Sequence, residues 1–293
     1  MPKITRAGIV AKSRLQAATP SLVDIESWLP AHGVEAVFET ATAALMPPNP
    51  KRRVADKQAL VNSVGLLLVL GGDGTLLSMA DAIGRAGVNV PILGVNFGSL
   101  GFLTEVTLPE LYPALEAALA GHAHVEERLM LNATITRSGG TPTSDIAVND
   151  VVINKGARSR LIDLSISVGD GLVTTVRADG LIIATPTGST AYNLAAGGPI
   201  VQPNVDALVL TPIAPHTLTN RPIVIPSSSS VRVKPMIEEP DEVFVTFDGQ
   251  TGCELRAGDE IIVCRAREPM RLIRPATRSY FEVLREKLNW GKR

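Results

Sequence analysis

Two domains of different class are predicted for this chain: an α/β N-terminal domain built on a parallel sheet, then an all-β, β-sandwich-like C-terminal domain. Three observations predict them. At 293 residues the chain has room for about two domains of ~100–200 residues each. Its first 120 residues alternate short β-branched or leucine-rich runs with stretches of helical spacing, the pattern of a parallel sheet covered by helices. After about residue 124 helical spacing nearly vanishes, and closely spaced alternating runs broken by turn dipeptides take over.

In chain order, Gly8 to Ala11, Val34 to Phe38, Val64 to Leu70 and Pro91 to Val95 read as the strands of a Rossmann-like parallel sheet. Ser21 to Leu29, Ala55 to Asn62 and Leu76 to Arg85 read as the helices between them. Pro109 to Ala120 opens on a proline suited to a first helical turn. The run from Val64 to Leu70 lacks polar alternation, so it is expected to be a central strand buried on both faces, with functional residues after its carboxyl end. Met46 to Arg53, with three prolines, is expected to be a mobile surface loop. In the β domain, Leu161 to Val168 alternates apolar and polar positions before the turn Asp170-Gly171. Val231 to Lys234 alternates as well, as does Val243 to Phe247 before Asp248-Gly249. The four serines from Ser227 to Ser230 read as a loop. The domains are therefore placed at residues 1–124 and 125–278, with a last helix, 279–293, packing back on the first domain or on a partner subunit.

Composition excludes several function classes. Lys and Arg total 28 against 29 Asp and Glu, so the basic footprint of a duplex-binding protein is missing. Aromatic residues make up only 4% of the chain, too few for a base-stacking platform. No nucleic-acid partner is expected. No apolar run approaches the ~20 residues of a membrane span, and the start MPKITRAGIVAKS lacks a signal core, so a cytoplasmic protein without membrane attachment is expected. Cys253 and Cys264 lie eleven apart, matching neither a redox pair nor a zinc knuckle. G-x-x-x-x-G-K-[ST], G-x-S-x-G and H-E-x-x-H are absent, and of the four histidines only His122 and His124 sit near one another, without a third ligand beside them. No metal-ligating residue is assigned.

The informative motif follows the buried strand. Gly71-Gly72-Asp73-Gly74-Thr75 leads directly into the helix at Leu76. Glycines let backbone N–H groups approach phosphate oxygens, and a helix N-terminus adds partial positive charge, so Gly71, Gly72, Gly74 and Thr75 are candidates for holding a phosphoryl donor. A carboxylate in the middle of an anion site would repel phosphate, so Asp73 needs its own explanation. Either it takes a proton from an attacking hydroxyl, directly or with a divalent ion, or it caps the helix and supports a tight turn.

GGDGT resembles the signature of the kinase superfamily that contains NAD kinases, diacylglycerol and sphingoid lipid kinases, and 6-phosphofructokinases. Three further blocks single out the first of these. They are Gly94-Val-Asn-Phe-Gly-Ser-Leu-Gly-Phe-Leu103, the pair Asn149-Asp150, and the long block from Asp179-Gly-Leu-Ile-Ile-Ala-Thr-Pro-Thr-Gly-Ser-Thr-Ala-Tyr to Pro199. Together they resemble the bacterial NAD kinases over about residues 60 to 275.

The resemblance implies an enzyme that transfers the γ-phosphoryl group of ATP to the 2′-hydroxyl of the adenosine ribose of NAD, with Mg2+ or another divalent cation on the ATP phosphates. It implies Asp73 as general base, with Gly74 also against the NAD, and Asn149 and Asp150 holding adenine and ribose. Arg160, Arg177 and Asp179 fall where polar contacts to the dinucleotide are expected. Thr187, Thr190, Ala191, Tyr192, Asn193, Leu194 and Ala195 form a nucleotide-contacting loop. Small hydroxyl residues allow close backbone approach there, and Tyr192 offers an apolar plate with a polar tip. Asn96 and Phe97 are expected to line the NAD cleft, and Ala214 and Gln250 are carried over as further NAD-binding residues, Gln250 otherwise reading as the flank of a hairpin. A homodimer or homotetramer with the site near the subunit interface is implied as well. Competing readings are a lipid kinase, which wants a basic amphipathic surface the chain lacks, and a non-catalytic dinucleotide sensor, which would have no use for Asp73. A sugar-phosphate kinase would want a cation cluster that is not visible.

Overall fold

The computed structural model describes residues 3–98, 100–137, 139–156, 161–237, 242–275 and 278–291. The first leg of the chain forms β1 (Arg6–Ala11), α1 (Thr19–Ala31), β2 (Glu35–Glu39), α2 (Thr40–Ala43), β3 (Arg53–Ala55) and α3 (Lys57–Ser63). It continues through β4 (Leu66–Gly71), α4 (Asp73–Ala86), β5 (Ile92–Asn96), β6 (Val106–Thr107), α5 (Leu111–Leu119) and β7 (His124–Arg128). Then come β8 (Leu131–Thr136), β9 (Thr143–Ala147), β10 (Asp150–Lys155), β11 (Ile162–Val168), β12 (Gly171–Ala178) and β13 (Gly180–Ala184). After a short helix, α6 (Tyr192–Ala195), follow β14 (Ala207–Ile213), β15 (Ile223–Pro226), β16 (Val231–Met236), β17 (Val243–Phe247), β18 (Thr251–Leu255) and β19 (Glu260–Arg265). The chain closes with β20 (Met270–Arg274) and α7 (Tyr280–Leu288).

Two compact units result, one of residues 1–127 with 270–293, the other of residues 128–269. In the first, the strands run in the order β3-β2-β1-β4-β5-β20-β7, with β6 beside β5. The pairs from β3 across to β20 are all parallel. The α/β class predicted from sequence is therefore observed. Every residue of β4 is buried, because β1 and β5 flank it and helices cover the sheet. Leu22, Ile25 and Leu29 place one face of α1 in the core, and Leu76, Met79, Ala80 and Ile83 do the same for α4. Gly87 stops α4 in the left-handed conformation at φ +63°. From β1 the chain steps outward to β2 on one side and returns to β4 on the other. This reversal opens a crevice at the carboxyl ends of β1 and β4.

The second unit holds two six-stranded antiparallel sheets, β15-β14-β13-β10-β17-β18 and β12-β11-β16-β19-β8-β9. Val151, Ile153, Leu181, Ile183, Val243 and Val245 of one sheet share a core with Leu164, Ile166, Val231, Val233, Ile261 and Val263 of the other. This is the sandwich expected from the alternating runs. The first sheet is covered on its other face too, where Val152, Ile182, Ala184 and Val209 pack with Val201. The turns at Asp170-Gly171 and Asp248-Gly249 close the hairpins β11–β12 and β17–β18.

Two expectations change. Residues 46–53 are a pinned segment rather than a free loop. The Arg52 side chain is only 6% exposed, ion-pairs with Glu26 at 2.8 Å and lies over the Phe38 ring, while Arg53 starts β3. Prolines predict an irregular path, which this segment has, but they say nothing of what a buried arginine holds. The second change is at the far end. Met270–Arg274, assigned to the β domain, is β20 of the first sheet, paired in parallel with β5 through Leu272–Ile92 and Ile273–Leu93. Arg274 seals that strand with two hydrogen bonds to the buried carboxylate of Glu105, at 2.8 and 2.9 Å, and one to Glu126 at 3.1 Å. The last helix follows it within the first unit, where Arg278 donates to the Glu105 carbonyl at 2.7 Å. Among the described residues no helix is long and apolar enough to cross a membrane.

Candidate active site

In the first unit β4 runs into the glycine turn, and Gly72, fully extended at ψ −178°, is the N-cap of α4. Its carbonyl accepts the N–H groups of Thr75 at 3.0 Å and Leu76 at 3.3 Å. Asp73 is the first residue of the helix and does not cap it. Its carboxylate instead reaches the segment after β5. Oδ2 accepts from the Phe102 N–H at 2.8 Å, and Oδ1 accepts from the N–H groups of Leu103 (3.1 Å) and Thr104 (3.0 Å) and from the Thr104 hydroxyl (3.0 Å). A Cβ at Gly101 would sit 2.1 Å from Asp73 Oδ1, so only glycine permits this approach. Asn96 joins the same cluster. Its register partner on β4 is Gly71, and its amide donates to the Thr104 carbonyl at 3.4 Å. Phe97 packs into the core of the first unit. The GGDGT and GVNFGSLGFL blocks, about thirty residues apart, thus become one constellation.

On the other side of the turn lies a cavity of about 400 Å³ at the carboxyl ends of β1 and β2. Lys12, Glu39, Lys57, Gly72, Gly74 and Thr75 line it. Glu39 is committed to Thr42, accepting from its N–H at 2.9 Å and its hydroxyl at 3.1 Å. Lys57 donates to the Ser78 hydroxyl at 2.6 Å. Two ammonium groups, a helix N-terminus and glycine amides beside an open volume make a site for phosphate oxygens.

In the second unit the candidates fall into two groups. The first gathers where β9 crosses to β10. Asn149 and Asp150 lie at this crossing, and Thr185, just past β13, ties down the neighbouring loop. Its N–H donates to the Asn149 carbonyl at 2.9 Å, and its hydroxyl donates to the Val148 carbonyl at 2.6 Å while accepting from the Gly188 N–H at 2.9 Å. A Cβ on Gly188 would lie 2.0 Å from the Asn149 carbonyl oxygen, so the loop rests directly on the Asn149 backbone. Thr187 is buried and meets a buried guanidinium, that of Arg128, at 3.5 Å, and the Thr190 hydroxyl donates to the Thr187 carbonyl at 3.3 Å. Ala191 turns the chain into α6, which carries Tyr192 exposed, Leu194 half-buried and Ala195 exposed. Asn193 is fully buried. Its amide nitrogen donates to the carbonyls of Ser189 and Pro199, and its oxygen accepts from the Thr211 hydroxyl at 2.6 Å, so this side chain holds the loop from beneath. Gln250, in the turn after β17, belongs to the same end.

Asp150 is 4% exposed, and Asp248 lies beside it. Burial, and then the Asp248 charge, push its carboxyl up to about 7.

The second group, Arg177, Asp179 and Ala214, sits at the other end of the β10–β13 pair. The Asp179 N–H donates to the Ile213 carbonyl, the Arg177 carbonyl accepts from His216, and Lys155 ion-pairs with Asp179 at 3.4 Å. Asp150 pairs with Ala184 and Asn154 with Gly180, so roughly 14 Å of strand separates the two groups at ~3.4 Å per residue. Arg160 lies outside the described residues.

The family models resolve which superfamily branch this constellation belongs to. Residues 8–123 match the ATP-NAD kinase N-terminal domain and residues 148–275 the ATP-NAD kinase C-terminal domain. The chain belongs to the NAD kinase family.

Among NAD kinases, that of Geobacter sulfurreducens is 47% identical over the whole of both chains, and that of Solibacter usitatus 43%, again over both whole chains. Two solved structures share the fold. Yeast NADH kinase complexed with NADH superposes with a TM-score of 0.90 at 28% identity, over 100% of this chain and 90% of that one. An NAD kinase from Archaeoglobus fulgidus in complex with ATP gives 0.75 at 26% identity, over 96% and 99%. Sequence reasoning does not reach Lys12 and Lys57 at the cavity, the amides of Phe102 to Thr104 that donate to Asp73, or Asp248. The lysines stand singly in unrelated segments, and no local pattern joins them to the glycine turn. Asp248 had a visible signal, the Asp-Gly dipeptide, which reads as a turn and nothing more.

Proposed function

We propose that this chain transfers the γ-phosphoryl group of ATP to the 2′-hydroxyl of the adenosine ribose of NAD, giving NADP and ADP. The observation that carries the reading is the GGDGT turn at the carboxyl end of β4, with Asp73 at the head of α4 beside a lysine-lined cavity. The amides of the turn, with Lys12 and Lys57, receive the donor phosphates. Asn149 and Asp150 hold adenine and ribose, the ionised Asp150 accepting from ribose hydroxyl groups, and the loop from Thr187 to Ala195 lies against the dinucleotide. Among the described residues three of the four donors on Asp73 fall on Oδ1 and one on Oδ2, which leaves Oδ2 the less occupied oxygen. That oxygen takes the 2′-hydroxyl proton as the hydroxyl oxygen bonds to the γ-phosphorus and the bond from γ-phosphorus to the β,γ-bridging oxygen breaks, leaving ADP. Phosphoryl transfer asks the protein for positioning and charge more than for covalent chemistry, so transfer of the proton accompanies bond formation.

A divalent cation neutralises donor phosphate charge in such reactions. Among the described residues no three His, Cys, Asp or Glu side chains converge as a metal cage. Glu39 is committed to Thr42 and Oδ2 is the less occupied of the Asp73 oxygens, so the turn and cavity offer at most a single Asp73 oxygen rather than a ligand set. This donor set does not fit a protein-held ion, and no step here passes through one.

The test is NADP formation from NAD, ATP and magnesium by the wild-type chain and by Asp73→Asn. Turnover is expected to fall by roughly 10²–10⁴-fold with little change in NAD affinity. A loss below tenfold removes Asp73 as the base, and no NADP formation by the wild type removes the reaction.

A further inference from the structure

Asp248 has no place in the reaction above, yet its carboxylate accepts from three consecutive backbone amides in the second unit's candidate site. Oδ2 accepts from the Val148 N–H at 2.8 Å, and Oδ1 accepts from the N–H groups of Asn149 at 2.7 Å and Asp150 at 3.0 Å. The Asp248 N–H in turn donates to the Asp150 carbonyl at 3.0 Å. These three consecutive amides lie where the chain leaves β9 in one sheet and enters β10 in the other, a crossing at which ladder partners run out. Asp248 stands in the left-handed conformation, φ +50°, at the turn between β17 and β18. Asn and Gly suit such a turn as well as Asp does, so the turn does not require a charge. Three converging N–H donors do require two acceptor oxygens, which only a carboxylate supplies there.

We propose that Asp248 is a positioning residue for NAD, holding the Asn149-Asp150 pair in its binding orientation through the three amides of Val148, Asn149 and Asp150. This rests on the reading that the pair binds the adenosine of NAD. The anchor has an electrostatic cost. From the β17 side the group facing Asp150 is Asp248. From β13 the facing position is Ala184, and the adjoining loop, Thr185-Pro-Thr-Gly-Ser-Thr190, carries no titratable side chain. The Arg128 guanidinium meets the Thr187 hydroxyl of that loop at 3.5 Å, and the anchoring carboxylate nonetheless disfavours ionisation of the residue it positions.

The experiment compares wild type, Asp248→Asn and Asp150→Asn by steady-state NADP formation with NAD and ATP varied separately across pH, alongside melting temperature. Asparagine keeps the turn and the shape but turns an NH2 group toward one of the three amides. In Asp248→Asn the KM for NAD is expected to rise about tenfold or more, with kcat and the KM for ATP within about threefold of wild type. The acid limb of kcat/KM for NAD is expected to move to lower pH, by less than the interval from about 7 to 3.8, because burial, the larger cause of the raised Asp150 value, remains. A merely structural loss moves no acid limb downward. An unchanged KM for NAD in Asp248→Asn, with Asp150→Asn impaired, overturns the proposal, as does an unmoved limb or a parallel rise in both KM values with a fallen melting temperature. An unimpaired Asp150→Asn instead removes the reading beneath it, that the pair binds NAD. Should Asp248→Asn not fold, Asp248→Glu, which keeps the charge but displaces the carboxyl, is expected to raise the KM for NAD with the limb in place. A wild-type KM in that variant overturns the proposal.

Discussion

Asp73 in the first unit and Asp150 in the second are both acids among the candidate residues, but their surroundings differ in kind. Asp73 is ringed by four donors, whereas among the described residues no donor falls on the carboxyl of Asp150, which burial and Asp248 push up to about 7. The second case has a consequence for stability. Below about 3.8 Asp150 is protonated in the folded and the unfolded chain, and well above 7 it is ionised in both. Between these values the folded chain keeps a proton that the unfolded chain has lost, so this residue lowers stability progressively as pH rises through the window. Asparagine has the shape of the neutral acid and cannot ionise. The melting temperature of Asp150→Asn is therefore expected to gain on wild type from about pH 4 to about pH 7 and then hold its lead, even as NAD binding suffers. Equal differences at both ends of that range would contradict the raised value. What the sequence revealed at this scale was whatever chemistry stood next to its own motif. Asp73 announced itself because a carboxylate among phosphate-binding glycines would repel phosphate, but Asp248 did not, because the amides that donate to it lie about a hundred residues upstream.

Elements were legible in proportion to how their environment patterns the chain. β11 and β16 alternate because one face looks to the core and the other to solvent, and their spacing gave them away. β10 and β13 carry apolar side chains on both faces, since the sandwich core covers one and the Val152, Ile182 and Val201 cluster the other. Within a run such as Leu181 to Ala184 no period distinguishes strand from helix. The segment before β3 misled for the opposite reason, because its prolines were visible and its anchor, Arg52 on Glu26, was not. The Thr185–Thr190 loop depends on its contact with Asn149, which makes Gly188 its decisive position. Gly188→Ala places a methyl 2.0 Å from a backbone oxygen, and overpacking of this kind costs about 1–3 kcal/mol. Its measurable sign is a raised KM for NAD together with a lower melting temperature. A KM left at the wild-type value would show that the contact does not set the geometry of the pair.

At the scale of the molecule the first unit is interrupted. Its sheet needs β20, and β20 is held by Arg274, 9% exposed, on Glu105, 2% exposed. Removing one member strands a buried charge, so Arg274→Met is expected to cost about 3–5 kcal/mol in urea unfolding. Replacing both, Arg274→Met with Glu105→Leu, should recover most of that loss, and failure to recover would place the importance of Arg274 elsewhere, in its bond to Glu126. The class of each domain was readable from its periodicities. The return of the chain was not, because five residues of strand at the end of a β-rich stretch look like one more strand of that stretch.

That return also fixes an order of events at the ribosome. When residue 269 has been made, every strand of the two antiparallel sheets has left the peptidyl transferase centre, while the parallel sheet, begun first, still lacks the strand that pairs with β5. The part of the chain that carries the phosphoryl-transfer motif thus waits until the whole inserted sandwich has been made before its framework can close. The inserted sandwich has no such dependence on residues made after its own.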